Sequence, residues 1–144
     1  MHLKLFSWAV NKKTKLLENP KPLTDQRQTG NWAEALAAAE LKRKGYKILA
    51  RNWMHKNDEL DIIAMEAGQL VFVEVRARKA DAAVPGYFSL GGAKRTALRR
   101  GALAYLHEKE AAEGKEFAWR FDVVEVSYED RKKYELRHYE GVGM

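Results

Sequence analysis

Asn57–Arg78, reading NDELDIIAMEAGQLVFVEVRAR, is the stretch from which the fold can be read. Two strand-like runs flank a turn at Glu66-Ala67-Gly68-Gln69, a pattern that predicts a β-hairpin. Alternation places Leu60, Ile62 and Ala64 on one face of the first run and Glu59, Asp61 and Ile63 on the other. In the second run Val71, Val73 and Val75 oppose Phe72, Glu74 and Arg76. A two- or four-residue loop across Ala67 and Gly68 pairs Met65 with Leu70, Ile63 with Phe72, Asp61 with Glu74 and Glu59 with Arg76. Two carboxylates then stand side by side with Cβ atoms about 5 Å apart, which destabilises the pair unless something offsets the repulsion. A loop of three residues would slip the register by one and send the two acids to different faces.

A divalent cation held by both carboxylates offsets the repulsion. Hard oxygen donors select magnesium, manganese or calcium over zinc. Arg76 and Arg78 supply positive charge suited to a phosphate. The chemistry suggested is metal-assisted phosphodiester hydrolysis. A plain hairpin with one solvated face stands beside that reading, because such strands routinely carry Glu, Asp and Arg.

The chain of 144 residues accommodates one domain plus a tail, and 46% hydrophobic residues suffice for a real core. A net charge of +6 favours a polyanionic partner, with nucleic acid the leading candidate. The chain has no cysteine, which excludes disulfides and thiolate zinc sites and suits the cytoplasm. Residues 1–25 read as a basic tail or linker, with a run at Leu3–Val10 that forms a short helix on contact, a basic run at Asn11–Lys15, and Pro20 and Pro22. The apolar run is too short for a membrane span and lacks the form of a secretory signal. Residues 26–144 read as one domain.

Along that domain, Asn31–Lys44 reads as a helix with Asn31 as N-cap and Gly45 as C-cap, Glu34 then being a capping-box residue or a site residue. Tyr46–Trp53 reads as a strand leading into the hairpin. Lys79–Leu90, with Pro85, Gly86, Tyr87 and Phe88, reads as a loop. A second helix spans about Gly92–Glu113 and carries Lys94, Arg95, Arg99 and Arg100 in its first half, against the helix-dipole preference. Trp119–Val126 reads as a strand, with Asp122 in a structural or supporting role, and Glu135–Val142 as an edge strand. None of the four histidines is assigned a catalytic role. The element order predicts an α/β domain with a central mixed sheet flanked by helices.

Several motifs in one order carry a resemblance: T-G-N-W-A-E at 29–34, A-R-N at 50–52, E-L-D-I-I-A at 59–64, V-F-V-E-V-R-A-R at 71–78, Lys94 and R-F-D-V-V at 120–124. From about Gln28 to Val126 the chain resembles the YraN family, small bacterial proteins regarded as predicted endonucleases. The resemblance implies a restriction-endonuclease-like fold of the PD-(D/E)xK type, similar to archaeal Holliday-junction resolvases. It further implies that Asp61 and Glu74 are the motif acids, that Arg76 stands at the lysine position and that Glu34 is the first-helix glutamate. The chain departs from the pattern at Asp58, where the family usually has glycine, and at Arg76. An arginine stays protonated and cannot accept a proton as a lysine can, although it can hold phosphate.

Two functional expectations follow. One is a metal-dependent DNA endonuclease, acting on branched or irregular DNA, in which Glu34, Asp61 and Glu74 hold Mg2+ or Mn2+ while Arg76, Arg78, Lys94, Arg95 and Arg99 contact nucleic acid. The other is a non-catalytic nucleic-acid-binding or scaffold protein that keeps the fold. A homodimer is compatible with both.

Overall fold

The computed structural model describes residues 4–10, as backbone, together with 26–81 and 90–144. In chain order the elements are β1 (Lys4–Val10), α1 (Gln26–Arg43), β2 (Lys47–His55), β3 (Asp58–Glu66), β4 (Gln69–Lys79), α2 (Gly92–Glu113), β5 (Trp119–Tyr128) and β6 (Tyr134–Glu140). All strands join one sheet in the order β1-β6-β5-β4-β3-β2. The meander β2-β3-β4 is antiparallel, β5 runs parallel to β4, and β6 and β1 are again antiparallel to their neighbours. A parallel neighbour needs a crossover, and α2 supplies it. This is an α/β domain with a central mixed sheet flanked by helices, consistent with a restriction-endonuclease-like fold.

The helices cover opposite faces. Ala33, Ala37, Ala38 and Leu41 of α1 recur at helical spacing and pack on Ile62, Val71, Val73 and Val124. On the other face Leu98 and Ala102 of α2 pack on Leu60, Ile63, Phe72 and Phe121. Burial on both faces explains why Leu70–Val73 is an unbroken apolar run.

The described residues correct three sequence expectations. Lys4–Val10 is not a contact-induced helix; it adds a strand along the outer edge of β6, from Lys4↔Glu140 to Val10↔Tyr134. Helix α1 begins at Gln26, so Asn31 lies inside it and caps nothing; Thr29 is buried within this added turn. At the other end Gly45, at φ 93°, stops the helix as expected, with its amide donating to Lys42 O and that of Tyr46 to Leu41 O. The third correction concerns the hairpin. Its turn is the two-residue kind, with Ala67 at φ 49° and Gly68 at φ 78°, and Met65↔Leu70 and Ile63↔Phe72 pair as expected. Beyond Ile62↔Val73, however, the ladder stops, so Asp61–Glu74 and Glu59–Arg76 are not cross-strand pairs. Alternation breaks at the same place, because Ile62 faces α1 while both Leu60 and Ile63 lie in the cluster under α2. On the β2 side Asn52, at φ 51°, falls between the pairs Arg51↔Ile62 and Trp53↔Leu60. The basic run 11–15, Pro20, Pro22 and the Pro85–Phe88 stretch lie outside the described residues.

On the α1 face a polar network ties the sheet to the helix end. Arg120 donates through Nε to Asp122 Oδ1 at 2.9 Å, through Nη1 to Gln69 Oε1 at 2.9 Å and through Nη2 to the Tyr46 hydroxyl at 2.8 Å. Asp122 Oδ2 lies 2.7 Å from His138 Nε2, and Lys44 Nζ lies 2.7 Å from His138 Nδ1. A Lys44 that donates to Nδ1 leaves Nε2–H to donate to Asp122. Burial alone would raise the Asp122 pKa, but the hydrogen bonds from His138 and Arg120 overcome it and hold the carboxylate below its usual range. Asp122 therefore has the structural role expected for it. Removing one partner of such a cluster strands the others, so Asp122→Ala is expected to cost about 3–5 kcal/mol. Denaturant unfolding measures this; a loss under about 1 kcal/mol would show that the network is not a structural keystone.

Candidate active site

The site is built where the β3–β4 ladder stops. Asp61 Oδ2 accepts the Val75 amide at 2.9 Å, so a side chain takes over a hydrogen bond that a strand carbonyl would otherwise make. The carboxylate is thereby fixed against the backbone of β4 at the residue after Glu74. The two acids are not a cross-strand pair, yet their side chains meet directly, close enough for a carboxyl–carboxylate hydrogen bond while Glu74 keeps its proton.

Glu74 points to the α2 face, in step with Phe72, and is 4% exposed. Its Oε1 lies 3.3 Å from Lys94 Nζ, while its buried Oε2 has no donor among the described residues. Burial is the largest influence on it and Asp61 the next; together they push its pKa up to about 8, against the pull of Lys94. A buried carboxylate oxygen lacking a partner is costly, and two carboxylates in one site cannot readily both ionise. Either a proton or a metal cation relieves that strain.

Glu34 approaches Asp61 from α1. Its pKa is raised by burial first, then by Asp61 and Glu59, with Arg51 and Asn52 opposing. With its amide nitrogen turned to the acids, Asn52 donates to Glu34 Oε2 at 2.9 Å and Glu59 Oε1 at 3.1 Å. Asn52 thus bridges the two glutamates from its left-handed position in β2. Asp61 is electrostatic neighbour to both Glu34 and Glu74, so the three acids expected from sequence converge from α1, β3 and β4.

The expected cations divide. Lys94 reaches the site directly. Arg76, half-buried, follows Glu74 on the same face and lies in register with the buried Glu125 of β5. Arg76 and Arg78 line an open cavity of about 770 Å³ that continues from Val75 along β4, past Thr29 of α1 to Tyr128. Arg99 is exposed on α2. Arg95 turns away from the acids; its guanidinium donates to the backbone oxygens of Leu90 at 3.1 Å and Gly143 at 3.3 Å.

Among the described residues the tightest group of potential metal ligands is a different one, Asp122, His138 and Glu140, whose ligand atoms lie within 4.8 Å of one another. Every one of those ligand atoms is already engaged. Arg120 and the Gly141 amide occupy Asp122, Lys44 occupies His138, and the Tyr46 hydroxyl donates to Glu140 at 3.0 Å. Two resident cations there oppose a third, so this cluster is structural. Sequence reasoning did not find Asn52, because its role depends on a backbone break that no local pattern announces.

The model of the uncharacterised protein family UPF0102 matches residues 33–126, a span holding Glu34, Asp61, Glu74, Arg76 and Lys94. The chain belongs to this family. A UPF0102 protein of Roseiflexus castenholzii is 41% identical over 98 residues, covering 68% of this chain and 77% of that one. A UPF0102 protein of Chlorobium chlorochromatii is 39% identical over 100 residues, covering 69% and 74%. One from Pelobacter propionicus is 34% identical over 116 residues, covering 79% and 81%. The UPF0102 match leaves out β1 and β6, so the acids lie within the shared part and the strand added at the edge lies outside it.

The raised pKa of Glu74 has a consequence for stability. Unfolded, the group ionises near its ordinary 4.5; folded, it holds its proton to about 8, so between these values the folded state binds more protons. Stability of the metal-free UPF0102 chain is therefore expected to fall as pH rises from about 4.5 to about 8, by on the order of 3 kcal/mol. Glu74→Gln, which mimics the protonated acid, is expected to abolish the fall and to be more stable than wild type at the upper end. Unfolding curves across this pH range test it; a parallel decline in the variant would place the cause elsewhere.

Proposed function

We propose that this chain is a divalent-metal-dependent endonuclease that hydrolyses phosphodiester bonds in DNA. The observation that carries the reading is Glu74, a buried carboxylate with one oxygen unpartnered, set beside Asp61. The donor set is all oxygen, which fits Mg2+ or Mn2+. Glu34, Asp61 and Glu74 would hold the ion, Asp61 being electrostatic neighbour to the other two. When bound, the metal supplies an activated water and stabilises charge on the phosphate.

The chain's own groups have separate roles. Lys94, at 42% side-chain exposure, is near enough to Glu74 to hold a phosphate at the ion while still open to solvent. Arg76 and Arg78 extend positive charge from the acids along the cavity, where a fork-shaped guanidinium suits a phosphate oxygen pair. The Asp61–Val75 bond holds one carboxylate still, which limits the reorganisation needed to receive the cation. Arg76 takes no proton, so it orients phosphate and does not act as a base. The net charge of +6 favours the nucleic-acid backbone over small phosphates. Branched or irregular DNA is the substrate class the resemblance favours. Arginine at the motif's lysine position, together with the basic first half of α2, favours a non-catalytic nucleic-acid binder instead.

Cleavage of linear, nicked and branched DNA with Mg2+ or Mn2+ decides between them. Wild type is expected to cut, and Asp61→Asn or Glu74→Gln to lose at least about 100-fold in rate, an interaction of nearly 3 kcal/mol. Salt-sensitive binding that ignores chelator, with no cutting by wild type, would establish the binder.

A further inference from the structure

Asp58 and Arg100 form the tightest two-pronged ion pair between a helix and the sheet, and neither belongs to the site just described. Arg100 Nε and Nη2 lie 2.6 Å from Asp58 Oδ2 and Oδ1 respectively. Asp58 opens β3 after a tight turn, in register with His55, and is 6% exposed beneath an Arg100 side chain that is itself 61% exposed. The hydrogen bonds from Arg100 hold its pKa below the usual carboxylate range, so the pair stays charged.

Next to Arg100 the helix lies close against the strand. A Cβ built on Gly101 would lie 3.4 Å from Leu60 Cγ and Cδ2 and 3.6 Å from Asp58 Cβ. Gly101 and the ion pair thus form one contact point of α2 on β3. Lys94 is on the same stripe of the helix, seven residues earlier, with buried Leu98 between. At 1.5 Å per residue that is a lever of about 10 Å, so a tilt of about 10° at the contact point moves Lys94 by about 2 Å. Such a shift removes it from a carboxylate 3.3 Å away.

Leu98 and Ala102 seat α2 on the sheet by apolar packing, which is non-directional and leaves its tilt to polar contacts. Its N-cap Gly91 offers no side-chain bond, and its first turn carries no acid. The Arg95 bonds run to Leu90 and Gly143, neither of which is in β3 or β4.

We propose that the Asp58–Arg100 pair is a positioning device, which sets the tilt of α2 on β3 and thereby keeps Lys94 at Glu74. The geometric claim stands independently; its meaning for catalysis rests on the nuclease reading, in which Lys94 holds the phosphate. Asp58 and Arg100 touch no reacting atom in that reading.

The test uses the full metal-free chain and reads Lys94 directly. The protein is treated with an amine-reactive ester, and modification of each lysine is followed by peptide mass spectrometry. Asp58→Ala is expected to raise the rate at Lys94 at least threefold, towards that of Glu74→Gln, which breaks the ion pair from the other side. Lys109, paired with Glu113 at 2.7 Å in the second half of the same helix, should not change. Arg100→Gln should reproduce the effect, and it serves if Asp58→Ala fails to fold. A rise at Lys94 and Lys109 alike would mean general loosening and would overturn the proposal, as would an unchanged Lys94 rate in a folded variant. This readout needs neither metal nor DNA, so a failure to cut DNA would sink the nuclease reading and leave the positioning claim to stand or fall by itself.

Discussion

Everything at the site depends on the hydrogen bond from the Val75 amide to Asp61 Oδ2. A regular ladder through this point would pair Asp61 with Glu74 by backbone alone, and two carboxylates would face each other with nothing to hold them. The chain instead interrupts the ladder after Ile62↔Val73 and lets the Asp61 side chain satisfy the amide. The same interruption lets Leu60 turn under α2 while Ile62 stays under α1, so both cores close across the break. On the other side of β3, the left-handed Asn52 accommodates the irregularity and binds Glu34 and Glu59 with its amide. Backbone conformations of this kind recur at functional sites, where surrounding packing offsets their cost.

Two buried polar centres occupy the same sheet and differ in one physical respect. Around Asp122 every lone pair has a donor, and Arg120 and Lys44 balance the charge. Around Glu74, among the described residues, Lys94 is the cation that approaches and an oxygen is left over. A fully satisfied network rigidifies the structure and offers nothing to a ligand; a deficient one is poised to gain a cation. By ligand proximity alone the Asp122 cluster would be the metal centre, and it is the hydrogen-bond inventory that reverses the choice.

Much of this was legible in the sequence, for reasons that differ by element. The hairpin turn, the Gly45 stop and the span of α2 depend on local chemistry: left-handed glycines, alternation and a helical apolar stripe. Asp61 and Glu74 were legible because charge inside an apolar run is conspicuous, whereas Glu34 came forward only through the family resemblance. The break at Asp61 was not, since it arises from a competition between a side chain and a strand carbonyl that alternation cannot register. The start of α1 at Gln26 was hidden because Asn31 is a good cap wherever a helix happens to begin. Strand β1 and the Asp58–Arg100 pair depend on partners far along the chain, Tyr134–Glu140 and α2, and no local signal points to either.

The central claim, that the unpartnered oxygen of Glu74 and the carboxylate of Asp61 form a cation site, can be examined by diffraction at the manganese absorption edge from crystals grown with Mn2+. The account predicts one anomalous peak about 2.2 Å from oxygens of both residues, absent from crystals of Glu74→Gln. A peak at Asp122, His138 and Glu140, or no peak with Mn2+ in large excess, would contradict it.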